Sequence, residues 1–177
     1  CPGGDVHTDR VAVRDEGGST EYLNQADIHL GKKETVKDTA RVLGRYYDGI
    51  EYRGFSQKAV EDLALYSGVP VWNGLTDSYH PTQALADVMT LMENTKKPLS
   101  ECKLVFVGDA RNNVANSLLI ISAKLGMAFT AISPAELKPD RALFHEMSEL
   151  AQQTGTTLSF SDDLSAVAGA DAVYTDV

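Results

Sequence analysis

The sequence predicts an α/β fold made of two lobes of parallel sheet flanked by helices and joined by a linking helix. Three observations carry that expectation. Short apolar runs alternate with segments of helical period, turn-forming residues separate them, and a Lys-Lys-Pro stretch divides the alternation into two groups. Strands alternating with helices of this length imply β-α-β units, in which the strands run parallel and helices cover both faces.

The chain opens on Cys-Pro-Gly-Gly-Asp-Val-His-Thr-Asp-Arg, which lacks an amphipathic pattern and reads as an irregular start. Thr20–Leu23, Gly49–Tyr52 and Val69–Trp72 are short apolar runs that read as strands. Helical periodicity runs through Glu34–Tyr47, Ser56–Tyr66 and Thr82–Asn94. Asn94–Ser100 then forms the hinge. Beyond it, Lys103–Val107, Ala128–Ile132, Thr157–Phe160 and Ala172–Thr175 read as strands, with helices over Asn113–Leu125, Arg141–Thr154 and Leu164–Ala168. Tyr22, Tyr46, Tyr47, Trp72 and Phe106 are read as core or wall residues. Neither an internal repeat nor a low-complexity tract is present.

A length of 177 residues suits one large α/β domain or two small ones. The 43% hydrophobic and 23% charged content is that of a folded globular chain. A formal net charge of −9 argues against general nucleic-acid binding, which needs a basic face. A few arginines can still focus positive potential in a cleft for a small anion. Two cysteines, Cys1 and Cys102, predict no disulfide framework and fit a reduced cytoplasmic setting, as they would a mitochondrial matrix. No apolar run approaches the roughly 18 residues of a membrane span, so no membrane partner is expected. Isolated cysteines and scattered histidines offer no metal site, His7 and His145 receive no role, and no cofactor is expected.

In parallel α/β sheets, ligands bind beyond the carboxyl ends of the strands, where helix N-termini present free N–H groups. Four places qualify. In Glu51-Tyr52-Arg53-Gly54-Phe55, Arg53 stands at a strand end. It can chelate phosphate or carboxylate oxygens there, or simply be a surface arginine at a turn. His80-Pro81-Thr82-Gln83 opens a helix, with proline where its missing N–H costs nothing. His80 and Gln83 share a face and offer a donor for a carbonyl oxygen and an amide suited to an –NH2 group; they can equally be capping residues.

The third place, Val107-Gly108-Asp109-Ala110-Arg111-Asn112-Asn113, is a strand running through a glycine turn into a helix. It lacks G-x-G-x-x-G, so it gives little support to dinucleotide binding. Asn112 can cap this helix and Asp109 stabilise the turn while Asn113 still faces a ligand. At the fourth, Asp176 puts a carboxylate after the last strand, suited to an ammonium group. A basic loop, Asp27-Ile28-His29-Leu30-Gly31-Lys32-Lys33-Glu34, precedes a helix start, where lysines oppose the helix dipole unless an anion sits nearby.

Taken in order, these residues resemble the ornithine carbamoyltransferases. Lys37-Asp38-Thr39-Ala40-Arg41-Val42-Leu43-Gly44-Arg45, Glu51–Phe55, Asn73-Gly74-Leu75-Thr76-Asp77, His80–Gln83 and Gly108–Asn113 carry the likeness. His-Pro-Thr-Gln is shared with aspartate carbamoyltransferases, whereas Gly-Asp-Ala-Arg-Asn-Asn points to ornithine. The resemblance implies transfer of a carbamoyl group from carbamoyl phosphate to the δ-amine of L-ornithine, in a homotrimer when complete. It implies a carbamoyl-phosphate-binding domain in residues 1–79, a linking helix and hinge in 80–97, and an ornithine-binding domain in 98–177. His29, Arg53, His80 and Gln83 then resemble carbamoyl phosphate ligands, with Arg53 and His80 catalytic; Asn113 and Asp176 resemble ornithine ligands.

Family members also carry a Ser-x-Arg-Thr-Arg phosphate motif that Cys1–Arg10 does not match, and they continue past Val177 into a Ser-Met-Gly loop. Little or no turnover is therefore expected of this chain by itself. The alternatives are a non-catalytic remnant or ligand-binding module of the same fold, or a carbamoyltransferase acting on aspartate, putrescine or acetylornithine.

Overall fold

The computed structural model describes residues 4–24 and 34–176. They fall into two compact units, Cys1–Thr76 and Asp77–Val177.

The first unit begins with helix α1, Gly4–Asp15, where the sequence reads as an irregular start. Gly17 takes φ 85°, and the N–H groups of Gly17 and Gly18 return to the carbonyls of Arg14 and Val13, closing the last turn as a left-handed glycine does. The basic Arg14 lies in that turn, where the dipole favours it. Thr20–Leu23, expected as a strand, forms none; a strand needs a ladder partner, and none pairs with it among the described residues.

Helix α2, Val36–Tyr46, starts at Thr35, whose hydroxyl accepts the Asp38 N–H at 3.2 Å. Strand β1, Ile50–Arg53, helix α3, Gln57–Tyr66, and strand β2, Val71–Leu75, complete a β-α-β unit with parallel strands. Thr39, Ala40, Val60 and Leu63 are its buried residues on the helices. Gly44 permits α2 to close on the end of α3: a Cβ there would lie 1.8 Å from the Ser67 carbonyl oxygen. Glu51 and Trp72 are register partners and therefore share a sheet face, and both are exposed. That is why Trp72, expected as a core or wall residue, is not buried; Tyr22 and Tyr46 are exposed as well.

The second unit holds helix α4, Pro81–Asn94, strand β3, Lys103–Val107, helix α5, Asn113–Leu125, strand β4, Ala128–Ile132, helix α6, Arg141–Thr154, strand β5, Leu158–Ser161, and strand β6, Ala172–Thr175. Its four strands are all parallel, in the order β5-β4-β3-β6. Leu104, Val105 and Phe106 are buried in succession, the pattern of a strand covered on both faces. Ala84, Val88 and Leu91 of α4 join Phe106, Val114, Leu118 and Phe129 in one core, so the helix expected to link the lobes belongs by contact to this unit. Phe106 stacks on Tyr174 with ring centroids 6.2 Å apart. The expected helix at Leu164–Ala168 is one 3-10 turn, Leu164–Val167, started by Asp163, which accepts the Ser165 N–H at 2.8 Å.

Candidate active site

The strand order of the second unit decides where a ligand can sit. From β3 the chain steps outward to β4 and β5, then returns to place β6 on the other side of β3. The reversal falls between β3 and β6, and in open parallel sheets the crevice beyond the carboxyl ends of those two strands is the binding position. Gly108 follows β3 there and Asp176 follows β6.

Gly108 has φ 145°, a conformation that favours glycine, and a Cβ built on it would lie 3.4 Å from the Asp176 carbonyl oxygen and 3.5 Å from the Phe106 ring. The turn that follows is held by its own side chains and by the Ala110 N–H, which donates to the Leu137 carbonyl at 3.2 Å. Asp109 accepts from the Arg111 backbone N–H at 3.0 Å, its Nε at 2.9 Å and its terminal nitrogen at 2.8 Å. The Arg111 hydrogen bonds hold the Asp109 carboxyl below its ordinary value. Asn112 then caps α5, its side-chain oxygen accepting the Ala115 N–H at 2.7 Å. Both residues therefore do the structural work that the sequence allowed for them. Asn113, the first residue of α5, is half-buried and carries no part of that cap.

His80 stands at the N-cap of α4, with Pro81 at the first helical position, and is only 7% exposed. Its backbone N–H donates to Ser117 Oγ at 2.8 Å, and Ser117 Oγ donates to the Asn113 carbonyl at 2.7 Å. One hydroxyl thus ties the start of α4 to the first turn of α5. Asn116 reinforces the link by donating to the Ser78 carbonyl at 3.1 Å. On the imidazole, Nδ1 lies 3.3 Å from Thr82 Oγ1.

Gln83, half-buried, donates from Nε2 to Asp87 Oδ1 at 2.8 Å. Burial raises the Asp87 carboxyl above its ordinary value, while the Gln83 hydrogen bond and the charge of His80 act against that rise. Tyr174 is raised by burial and by the charges of Asp87 and Asp176. His80, Gln83, Asn113 and Asp176 therefore all belong to the carboxyl-end region of one unit. An open groove of about 890 Å³ on the same unit, lined by Arg111, Lys138, Arg141, Phe144, His145 and Phe160 among others, contains none of the four.

Arg53 belongs to the first unit. It ends β1, half-buried, where the ladder slips register so that Arg53 pairs with Leu75. Gly54 then donates to the Leu75 carbonyl at 2.9 Å. Nearby Gln57, in the first turn of α3, accepts from Thr76 Oγ1 at 2.8 Å. His29 lies outside the described residues.

Ser117 and Asp87 are the residues that sequence reasoning missed. Each stands four positions after a residue singled out, Asn113 and Gln83, and that spacing on a helix was the available signal.

Two domain models of one family match the chain, the first running past the boundary of the first unit into α4. Residues 8–93 match the carbamoyl-P binding domain of aspartate/ornithine carbamoyltransferases and residues 100–177 match the Asp/Orn binding domain. The chain belongs to the aspartate/ornithine carbamoyltransferase family. It is 54% identical over 164 residues to a catabolic ornithine carbamoyltransferase of Clostridium perfringens, covering 92% of this chain and 49% of the relative. Identity to an ornithine carbamoyltransferase of Thermotoga petrophila is 56% over 168 residues, covering 94% and 53%. Among solved structures, the ornithine carbamoyltransferase from Pyrococcus furiosus superposes with a TM-score of 0.93 at 44% identity, over 98% of this chain and 55% of that one. The chain spans about half the length of the relatives it matches.

Proposed function

We propose that this chain supplies part of the carbamoyl phosphate and ornithine sites of an ornithine carbamoyltransferase. The reaction moves the carbamoyl group of carbamoyl phosphate to the δ-amine of L-ornithine, giving citrulline and phosphate. The observation that carries the reading is the reversal of strand order between β3 and β6, with Asp176 and the turn to Asn113 on its two sides. Supporting it, Ser117 ties the His80 backbone to that same turn.

The uncharged amine attacks the carbamoyl carbon, the new C–N bond forms, and the bond to the phosphate oxygen breaks. Phosphate leaves with the electron pair, and the amine gives up a proton. Arg53 and His80 stabilise the charge that grows on the carbonyl oxygen, which is where fixed donors accelerate acyl transfer most. Gln83 holds the carbamoyl –NH2, and the family resemblance adds His29 as a further carbamoyl phosphate ligand. Asn113 takes the α-carboxylate of ornithine and Asp176 its α-ammonium, so that two anchored ends set the line of approach. The full-length protein assembles as a homotrimer and works in the cytoplasm.

The test is citrulline formation from isotope-labelled carbamoyl phosphate by the full-length protein, with ornithine, aspartate and putrescine as competing acceptors. Ornithine is the expected acceptor, and Asn113→Ala raises its KM at least tenfold. Equal use of aspartate, or no turnover with any of the three, defeats the proposal.

A further inference from the structure

We propose that Asp87 is a positioning residue for carbamoyl recognition, fixing by its hydrogen bond which end of the Gln83 amide faces the ligand. The inference rests on the role given to Gln83 above and deepens it.

Asp87 lies one helical turn beyond Gln83, on the same face of α4. Gln83 Nε2 donates to Asp87 Oδ1 at 2.8 Å. A glutamine amide is nearly symmetric in shape, so sterics alone hardly distinguish its oxygen end from its nitrogen end. A carboxylate distinguishes them completely: it accepts hydrogen bonds and cannot donate. With the –NH2 end of Gln83 held by Asp87, the outward end is Oε1, an acceptor. That end suits the –NH2 of a carbamoyl group and gives nothing to a methyl group in its place.

The setting of Asp87 points the same way. Its Oδ2 is buried with no hydrogen-bond partner among the described residues. The groups that bear on its charge are Gln83 and His80, both residues of the proposed site. Keeping a carboxylate half-buried with one oxygen unmatched is unfavourable for the fold. Its return is the orientation of Gln83.

The test compares carbamoyl phosphate with acetyl phosphate, which carries a methyl in place of the –NH2, by calorimetry on the full-length protein. Wild type prefers carbamoyl phosphate. Asp87→Ala weakens carbamoyl phosphate about tenfold, the scale of one lost hydrogen bond to a charged group, and leaves acetyl phosphate within about twofold. Gln83→Ala shows the same loss, and Asp87→Ala adds nothing further in that background. Asp87→Asn, an isosteric variant that can still turn an oxygen toward Gln83, keeps most of the preference. Equal weakening of both phosphates, or additive losses in the double variant, reduces Asp87 to a structural residue and overturns the inference alone. A wild-type protein that binds neither phosphate, or a Gln83→Ala variant identical to wild type, overturns the site assignment and this inference with it.

Discussion

The backbone N–H of His80 donates to Ser117 Oγ at 2.8 Å, both residues being buried. Removing the hydroxyl leaves that N–H without its acceptor, and an unmatched buried donor costs about 1–3 kcal/mol. The same hydroxyl holds the Asn113 carbonyl. Ser117→Ala is therefore expected to lower stability by about that amount and to weaken carbamoyl phosphate and ornithine together. Urea denaturation and calorimetry on one variant check both halves. A stability loss without any change in either ligand would show that the tie serves packing only.

Gly108 stands where the β3–α5 turn passes the Asp176 carbonyl. Gly108→Ala places a Cβ in contact distance of that oxygen and of the Phe106 ring, at a φ of 145° that a side chain rarely adopts. The backbone strain is worth about 1–3 kcal/mol. The expected result is a lower denaturation midpoint and a raised KM for ornithine at unchanged carbamoyl phosphate affinity. Wild-type stability in this variant would mean that the turn relaxes freely.

Asp171 gives a pH prediction. It accepts from Lys97 and from the Lys103 backbone N–H at 2.9 Å, joining the segment after α4 to the start of β3. The Lys97 hydrogen bond holds its carboxyl below the ordinary value, followed by that of Lys103. A carboxyl depressed on folding adds stability above its unfolded pKa, about 3.9 for aspartate, and that stability disappears as pH falls through the folded value. Asp171→Asn is expected to be less stable than wild type at pH 7, with the gap closing below about pH 4. Parallel urea titrations from pH 7 to pH 3 read this directly, and a gap that stays constant contradicts it.

Most strands and helices were legible because their periodicity reflects which faces are buried. Lys103–Val107 and Ala128–Ile132 are mostly apolar runs, and both are central strands at the bounds expected. Thr20–Leu23 failed because a strand is completed by a partner, which local sequence does not encode. The helix Gly4–Asp15 was hidden behind a Pro-Gly-Gly opening and a weak apolar pattern. In the candidate site, polar residues at helix starts were legible from strand-turn-helix order. Ser117 and Asp87 were not, because a serine or an aspartate within a helix looks like ordinary surface until its partner's position is known. Trp72 was misread for a related reason: alternation tells which residues share a face, not which face is covered.

Gly44 yields the most demanding stability prediction for the first unit. A Cβ built there lies 1.8 Å from the Ser67 carbonyl oxygen and 2.7 Å from its carbon, both backbone atoms that no rotamer change can move aside. Ser67 ends α3 and donates its N–H to the Leu63 carbonyl at 3.0 Å, so it is held by its own helix. Gly44→Ala must therefore separate α2 from α3 and loosen the packing around Ala40, Val60 and Leu63, the buried apolar residues of that helix pair. Overpacking of this kind costs about 1–3 kcal/mol even where side chains can yield, and here the obstacle is backbone. The expected loss is at the top of that range or beyond, although alanine is the better helix former at an unobstructed site by about 1 kcal/mol. Chemical denaturation of Gly44→Ala decides which effect wins. A variant as stable as wild type would show that the close approach of α2 to Ser67 is not a feature of the folded protein.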